Sequence, residues 1–165
     1  MTCTHNDEHH EVNTSENLFD ILIFLVERFF NSGSYPDADT LSRQLTAAGF
    51  DDDEIGQTLS WLSGLERNSA VHDISAAGLR HFSLSEQRAI DVASRSFLLF
   101  LERCGVLSSS QRELVIERIL ALDIAEAGIE HIKLVVLVVL WNQRQALDSL
   151  ILDELLAGSR TPQLH

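Results

Sequence analysis

A chain of 165 residues, 45% hydrophobic and 22% charged, is long enough to bury a core and too apolar to be disordered. Its formal net charge of −13 is unevenly placed: residues 1–54 hold twelve acids and two bases, residues 55–165 thirteen acids and ten bases. Such a field repels phosphate backbones and attracts basic partners, which disfavours bulk nucleic-acid binding.

Residues 1–16 are polar and acidic and are expected to form a tail. Cys3, His5, His9 and His10 lie there at a spacing that matches no closed zinc site, so no metal is expected. A helix near 16–31, capped by Thr14 or Ser15, is apolar around most of its circumference, with a narrow polar strip at Asp20, Glu27 and Asn31. A helix of that kind is buried on several sides or lies under a partner. Asn31-Ser32-Gly33-Ser34 breaks it, and Tyr35-Pro36 is extended.

Asp37 caps a short helix with Leu41, Leu45 and Ala48 on one face and Gly49 at its end. Asp51 and Glu54 have capping-box spacing for a third helix, near 51–66, carrying Ile55, Leu59, Leu62 and Leu65, with Trp61 beside them. Helix, short turn and helix make the outline of a helix-turn-helix. Two β-capable pieces follow, Val71–Ile74 and Leu79–Phe82, and read as a small hairpin that would give residues 17–83 a winged-helix-like look. The first turn of the third helix is Asp51-Asp52-Asp53-Glu54, which suits a helix dipole and is wrong for approaching phosphates.

Residues 84–158 are expected to form a helical bundle, ahead of a frayed end over 159–165. Ser83 and Glu86 cap a long helix over 84–104, with Ile90, Ala93, Phe97, Phe100, Leu101 and Cys104 inward and Arg88, Asp91, Arg95 and Glu102 on a solvated, ion-paired stripe. Cys104 reads as a buried small apolar residue. Ser110 and Glu113 cap a helix over 110–122 with Leu114, Val115, Ile119 and Leu122 inside and Arg112, Glu113, Glu117 and Arg118 largely outside. In IEHIKLVVLVVLW (129–141) four valines leave helix and buried strand nearly equal on propensity, and the helical neighbours decide for helix. His131 reads as a capped or solvated histidine. Over 146–157, Leu147, Leu150, Ile151 and Leu155 have heptad-like spacing. The fold class is mainly α.

No phosphate-binding glycine loop, nucleophile elbow or HExxH pair occurs, and the carboxylates sit on helix faces where nothing suggests burial. The recurring Glu-Arg dipeptides, such as Glu117-Arg118, read as rims of buried faces, since adjacent residues do not face each other on a helix. A non-enzymatic protein without a cofactor is expected. Two cysteines make no disulfide framework, no secretory segment is visible, and the longest apolar run, Leu134–Trp141, is far below the ~20 residues of a spanning helix. A soluble cytoplasmic protein without membrane contact follows.

The segments LFDILIFLVERF (18–29), TAAGFDDDEI (46–55), SRSFLLFLE (94–102) and RELVIERILALD (112–123) together resemble the Smg family of bacterial proteins, a domain of unknown function, from about Asn17 to Leu156. RELVIERILALD is the most specific block. Ser96 stands where the family usually has glycine, and the tail before Asn17 is an addition. The resemblance implies a small cytoplasmic protein with no established catalytic residues, in a DNA-processing setting. Joined to the charge pattern, it favours an adaptor or regulator that uses Asp51, Asp52, Asp53 and Glu54 to meet a basic protein surface, such as one on a nucleic-acid enzyme, with dimerisation through the C-terminal helices left open. The alternative is a nucleic-acid binder using the winged-helix-like lobe or the side of Arg80, Arg88, Arg95 and Arg112, with Arg118 on the same helix as Arg112.

Overall fold

The computed structural model describes residues 14–68 and 80–157. Its regular elements are α1 (Thr14–Phe29) with a 3-10 turn (Phe30–Ser32), α2 (Ala38–Ala47), α3 (Asp52–Asn68), α4 (Leu84–Ala89), α5 (Val92–Arg103), α6 (Ser109–Leu120), α7 (Ile129–Asn142) and α8 (Ser149–Ala157). Among the described residues there is no strand, only an isolated parallel bridge between Ile90 and Ala127. The protein is mainly helical. The expected pieces over 71–79 lie outside the described residues, while Arg80, His81 and Phe82 belong to no helix or strand.

The valine-rich segment is helical, and every residue from Ile132 to Trp141 is buried. Helices α1, α5, α6 and α8 pack against it. Burial on all sides outweighs the mild helix penalty of its β-branched residues, which is only tenths of a kcal/mol each against about 1.5–3 kcal/mol for burying such a side chain. Trp141 closes the C-terminal end: its ring lies 4.6 Å from that of Tyr35, and its indole N–H donates to the Ser34 carbonyl at 3.2 Å.

Helix α1 buries Leu18, Ile21, Leu22, Leu25 and Val26 against α3 and α7, so its broad apolar surface is largely met within the chain. Asp37 caps α2 by accepting from the Thr40 N–H at 2.8 Å, and Leu41 and Leu45 face inward. Gly49 adopts φ +93, which reverses the chain into α3 at a backbone conformation that favours glycine. Helices from both sides of residue 83 thereby contribute to one buried cluster, from Leu18 to Leu155.

Several expectations change. The helix expected over 84–104 is two helices, because Asp91 caps a new one by accepting from the Ser94 N–H at 2.7 Å. Ile90 there is extended, and its neighbours Ala89 and Asp91 bond to Ala127. The break turns Ser94, Leu98 and Leu101 inward and leaves Ala93, Phe100 and Cys104 exposed, so Cys104 is not the buried residue expected. The cap of α6 is Ser108 with Gln111, not Ser110 with Glu113. Gln111 is buried and its amide also donates to Gln143 and Gln145, ending α7 against α6. Of the residues at heptad-like spacing, Leu150 is 77% exposed and Leu155 is fully buried.

Helices α3 and α6 are joined by a reciprocal exchange. The Trp61 indole N–H donates to the Arg118 carbonyl at 3.0 Å, and Arg118 Nη1 donates to the Trp61 carbonyl at 3.0 Å. Arg118, expected outside, has a side chain only 12% exposed. Gly64 makes the room: a Cβ there would lie 2.1 Å from Arg118 Nη1. Gly64→Ala is therefore expected to be less stable than Gly56→Ala by about 1–2 kcal/mol, because displacing the Arg118 guanidinium loses its hydrogen bond to the Trp61 carbonyl while both variants share the helix gain of alanine over glycine. Gly56→Ala, with nothing within 4 Å of its Cβ position, should be neutral or stabilise by up to about 1 kcal/mol. Urea unfolding of both variants checks this, and equal midpoints would contradict the lock.

Candidate functional site

The first turns of α1 and α3 meet at one hydrogen bond. Asn17 Nδ2 donates to Glu54 Oε1 at 2.6 Å, while Glu54 Oε2 accepts from the Asp51 N–H at 3.1 Å. Glu54 is half-buried and committed to this junction. Asp51, Asp52 and Asp53 are exposed beside it, and Glu16 and Asp20 are exposed on α1. Among the described residues none of these five forms an ion pair. Carboxylates in a first helical turn are favoured by the helix dipole, which helps hold them there without a counter-ion.

A cleft of about 210 Å³ is lined by Glu16, Phe19 and Asp20 of α1 with Ile124 and His131. The rings of Phe19 and His131 lie 4.6 Å apart at 48°. His131 is the third residue of α7, and its Nδ1 accepts the Gly128 N–H at 3.2 Å, satisfying a donor ahead of the helix. Burial pushes its pKa below the ordinary histidine value, against the opposing pull of Glu130 and Asp91. The imidazole is thus neutral with its proton on Nε2. The lining residues supply no hydroxyl, thiol or amine, so they offer a basin for a cation rather than a nucleophile. A second cleft, of about 240 Å³, is lined by Tyr35, Leu41, Leu59, Leu62 and Glu66 among others, and burial raises the Tyr35 phenol.

The arginines are spent differently. Arg80 is forked onto two carboxylates, with Nη1 and Nη2 each 2.8 Å from Glu86 and Nε 2.8 Å from Glu113. Arg112 Nη2 is 2.8 Å from Glu113, and its Nη1 pairs with Glu102, which also accepts from the Ser109 hydroxyl. This chain of charges ties α4, α5 and α6 together. The fork on Arg80 holds the Glu86 and Glu113 carboxyls below the usual range, so these acids are not the unburied, solvated groups expected. Arg118 pairs with the adjacent Glu117 at 3.0 Å, a contact between neighbours that helix geometry alone does not suggest. Arg95 is half-buried, 5.7 Å from the Phe82 ring centre. Of Arg88, Arg95, Arg112 and Arg118, only Arg88 is exposed.

Sequence reasoning singled out Asp51–Glu54 but missed that Glu16, Phe19 and Asp20 share a cleft with His131. The available signal was Asp20, an acid in the thin polar strip of an otherwise apolar helix. No candidate metal cluster occurs among the described residues, and Cys3, His5, His9 and His10 lie outside them. No described helix is long and apolar enough to cross a membrane.

The family model described as "Protein of unknown function (DUF494)" matches residues 18–165. Proteins described as "Protein Smg homolog" are similar over most of the chain. That of Nitrosomonas eutropha is 42% identical over 152 residues, covering 90% of this chain and 100% of the relative. That of Nitrosomonas europaea is 44% identical with the same coverage, and that of Aromatoleum aromaticum is 45% identical over 84% of this chain and 92% of the relative. No solved structure matches.

The half-buried neutral His131 makes stability depend on pH. The unfolded chain takes up its proton near pH ~6.5 and the folded one at lower pH. The stability contribution is therefore intact above that value and falls as pH drops below it. Below the ordinary carboxylate range, Glu86 and Glu113 add a second loss, since their depressed values stabilise the fold only while they are ionised. Urea midpoints between pH 7 and pH 5 should decline in the wild type and flatten in His131→Gln. Parallel curves for the two proteins would contradict this assignment.

Proposed function

This chain belongs to the Smg family, the one described as DUF494, and from that premise we propose that it is a non-enzymatic adaptor or regulator whose acidic front meets a basic surface on another protein. The observation that carries this reading is the contrast in how charge is used. Arg80, Arg112, Arg118 and Lys133 are consumed in internal ion pairs, while Asp51, Asp52 and Asp53 stand exposed without one among the described residues. Single-sign fields of that kind steer complementary partners and raise association rates.

The reading places the protein in the cytoplasm, in keeping with Cys104 as an exposed free thiol, and takes a nucleic-acid enzyme as the fitting class of partner. A direct nucleic-acid role through Arg88 and Arg95 has less support. Arg95 lies partly buried by Phe82, and Arg80 and Arg112 are already held by carboxylates. The helix that would present to a major groove leads with three exposed aspartates.

Substituting Asp51, Asp52 and Asp53 with Asn, and leaving Glu54 to hold the junction with Asn17, separates binding from folding. The triple variant should unfold close to the wild type and lose partners recovered from the native cell. Wild-type capture should weaken as ionic strength rises from about 0.1 M toward 1 M, where the Debye length shrinks from about 10 Å to about 3 Å. Partners retained equally by both proteins would overturn the reading.

A further inference from the structure

We propose that the cleft lined by Glu16, Phe19, Asp20, Ile124 and His131 receives the guanidinium of one arginine side chain from the basic partner, an inference that rests on the adaptor reading above. At about 210 Å³ the cleft is smaller than the roughly 300 Å³ at which small-molecule pockets begin, and it suits a single long side chain. Its wall is the aromatic corner of Phe19 and His131, 4.6 Å apart. A planar, weakly hydrated guanidinium stacks on such rings better than an ammonium does.

The rim is anionic. Glu16 and Asp20 are four residues apart on α1, hence on one face, and both are exposed without an ion pair among the described residues. Two like charges at this spacing destabilise a helix, and a fork-shaped cation between them relieves that repulsion while making charge-assisted hydrogen bonds. His131 adds no opposing charge, because its Nδ1 is occupied by the Gly128 N–H. The charged groups acting on its ring, Glu130 and Asp91, are also acids. Aromatic wall, paired carboxylates and a neutral imidazole make a basin for one cation. Arginine anchors of this kind carry a large share of binding energy in protein interfaces.

The test uses the full chain, isotope-labelled for NMR, and three short peptides that differ at one residue: arginine, lysine or citrulline, the uncharged isostere of arginine. The arginine peptide should shift the resonances of Phe19, Ile124 and His131, with lysine weaker and citrulline roughly tenfold weaker or silent. Glu16→Gln with Asp20→Asn should reduce arginine-peptide affinity roughly tenfold, while Asp51→Asn with Asp53→Asn leaves the cleft shifts in place. Equal response to citrulline, or shifts confined to Asp51–Asp53, would overturn the proposal. Capturing native partners with the two double variants separates the claims. Loss only with the Asp51/Asp53 variant would sink the cleft and leave the adaptor reading standing, and retention by both would sink both.

Discussion

Ten consecutive residues, Ile132 to Trp141, are withdrawn from solvent in α7, and that constraint organises the molecule. A helix apolar on every side must be covered on every side. Helices α1, α5, α6 and α8 supply the cover, so parts of the chain more than a hundred residues apart are drawn onto one axis. Even the charge within this buried stretch is accommodated. Lys133 reaches Glu154 on α8 at 2.9 Å and lies 5.9 Å from the Phe97 ring centre, so a cation in the core keeps a counter-ion.

Three arginines follow from the same constraint. Packing α4, α5 and α6 around the axis brings Arg80 and Arg112 against Glu86, Glu102 and Glu113, and packing α3 on α6 encloses Arg118 beneath Gly64. These three arginines are therefore drawn into the seams between helices. The N-terminal turns of α1 and α3, held together by Asn17 and Glu54, project carboxylates instead. A front that displays Asp51, Asp52 and Asp53 is suited to meeting basic proteins, although Arg28, Arg43, Arg88, Arg103 and Arg144 are exposed elsewhere on the chain.

Much of the helical layout could be read from residue order. The Asp37 cap, the Gly49 turn and the inward Leu41, Leu45, Ile55, Leu62 and Leu65 are local signals, and the structure contains them. The misreadings arose where two local signals compete. Asp91 fits equally as a polar-face residue of a long helix and as the cap of a new one, and only its bonding partner Ala127, far along the chain, decides. Ser108 with Gln111 and Ser110 with Glu113 have the same spacing. Glu113 is drawn to Arg80, thirty-three residues away, which leaves the cap to Gln111. Phe100 and Cys104 follow the helix phase that this break resets. The cleft was hidden for a similar reason, since nothing local joins His131 to Asp20. Membership of the Smg family, by contrast, was carried by contiguous blocks and was visible in them.

Native-state hydrogen exchange measures most directly whether α7 is the axis on which everything else depends. The amides of Leu134 to Leu140 should exchange only through global unfolding, with those of Leu22 and Leu25 in α1 and Val115 and Ile119 in α6 at the same free energy. Opening of α1–α3 at a markedly lower free energy, while α7 and α6 stay protected, would contradict it.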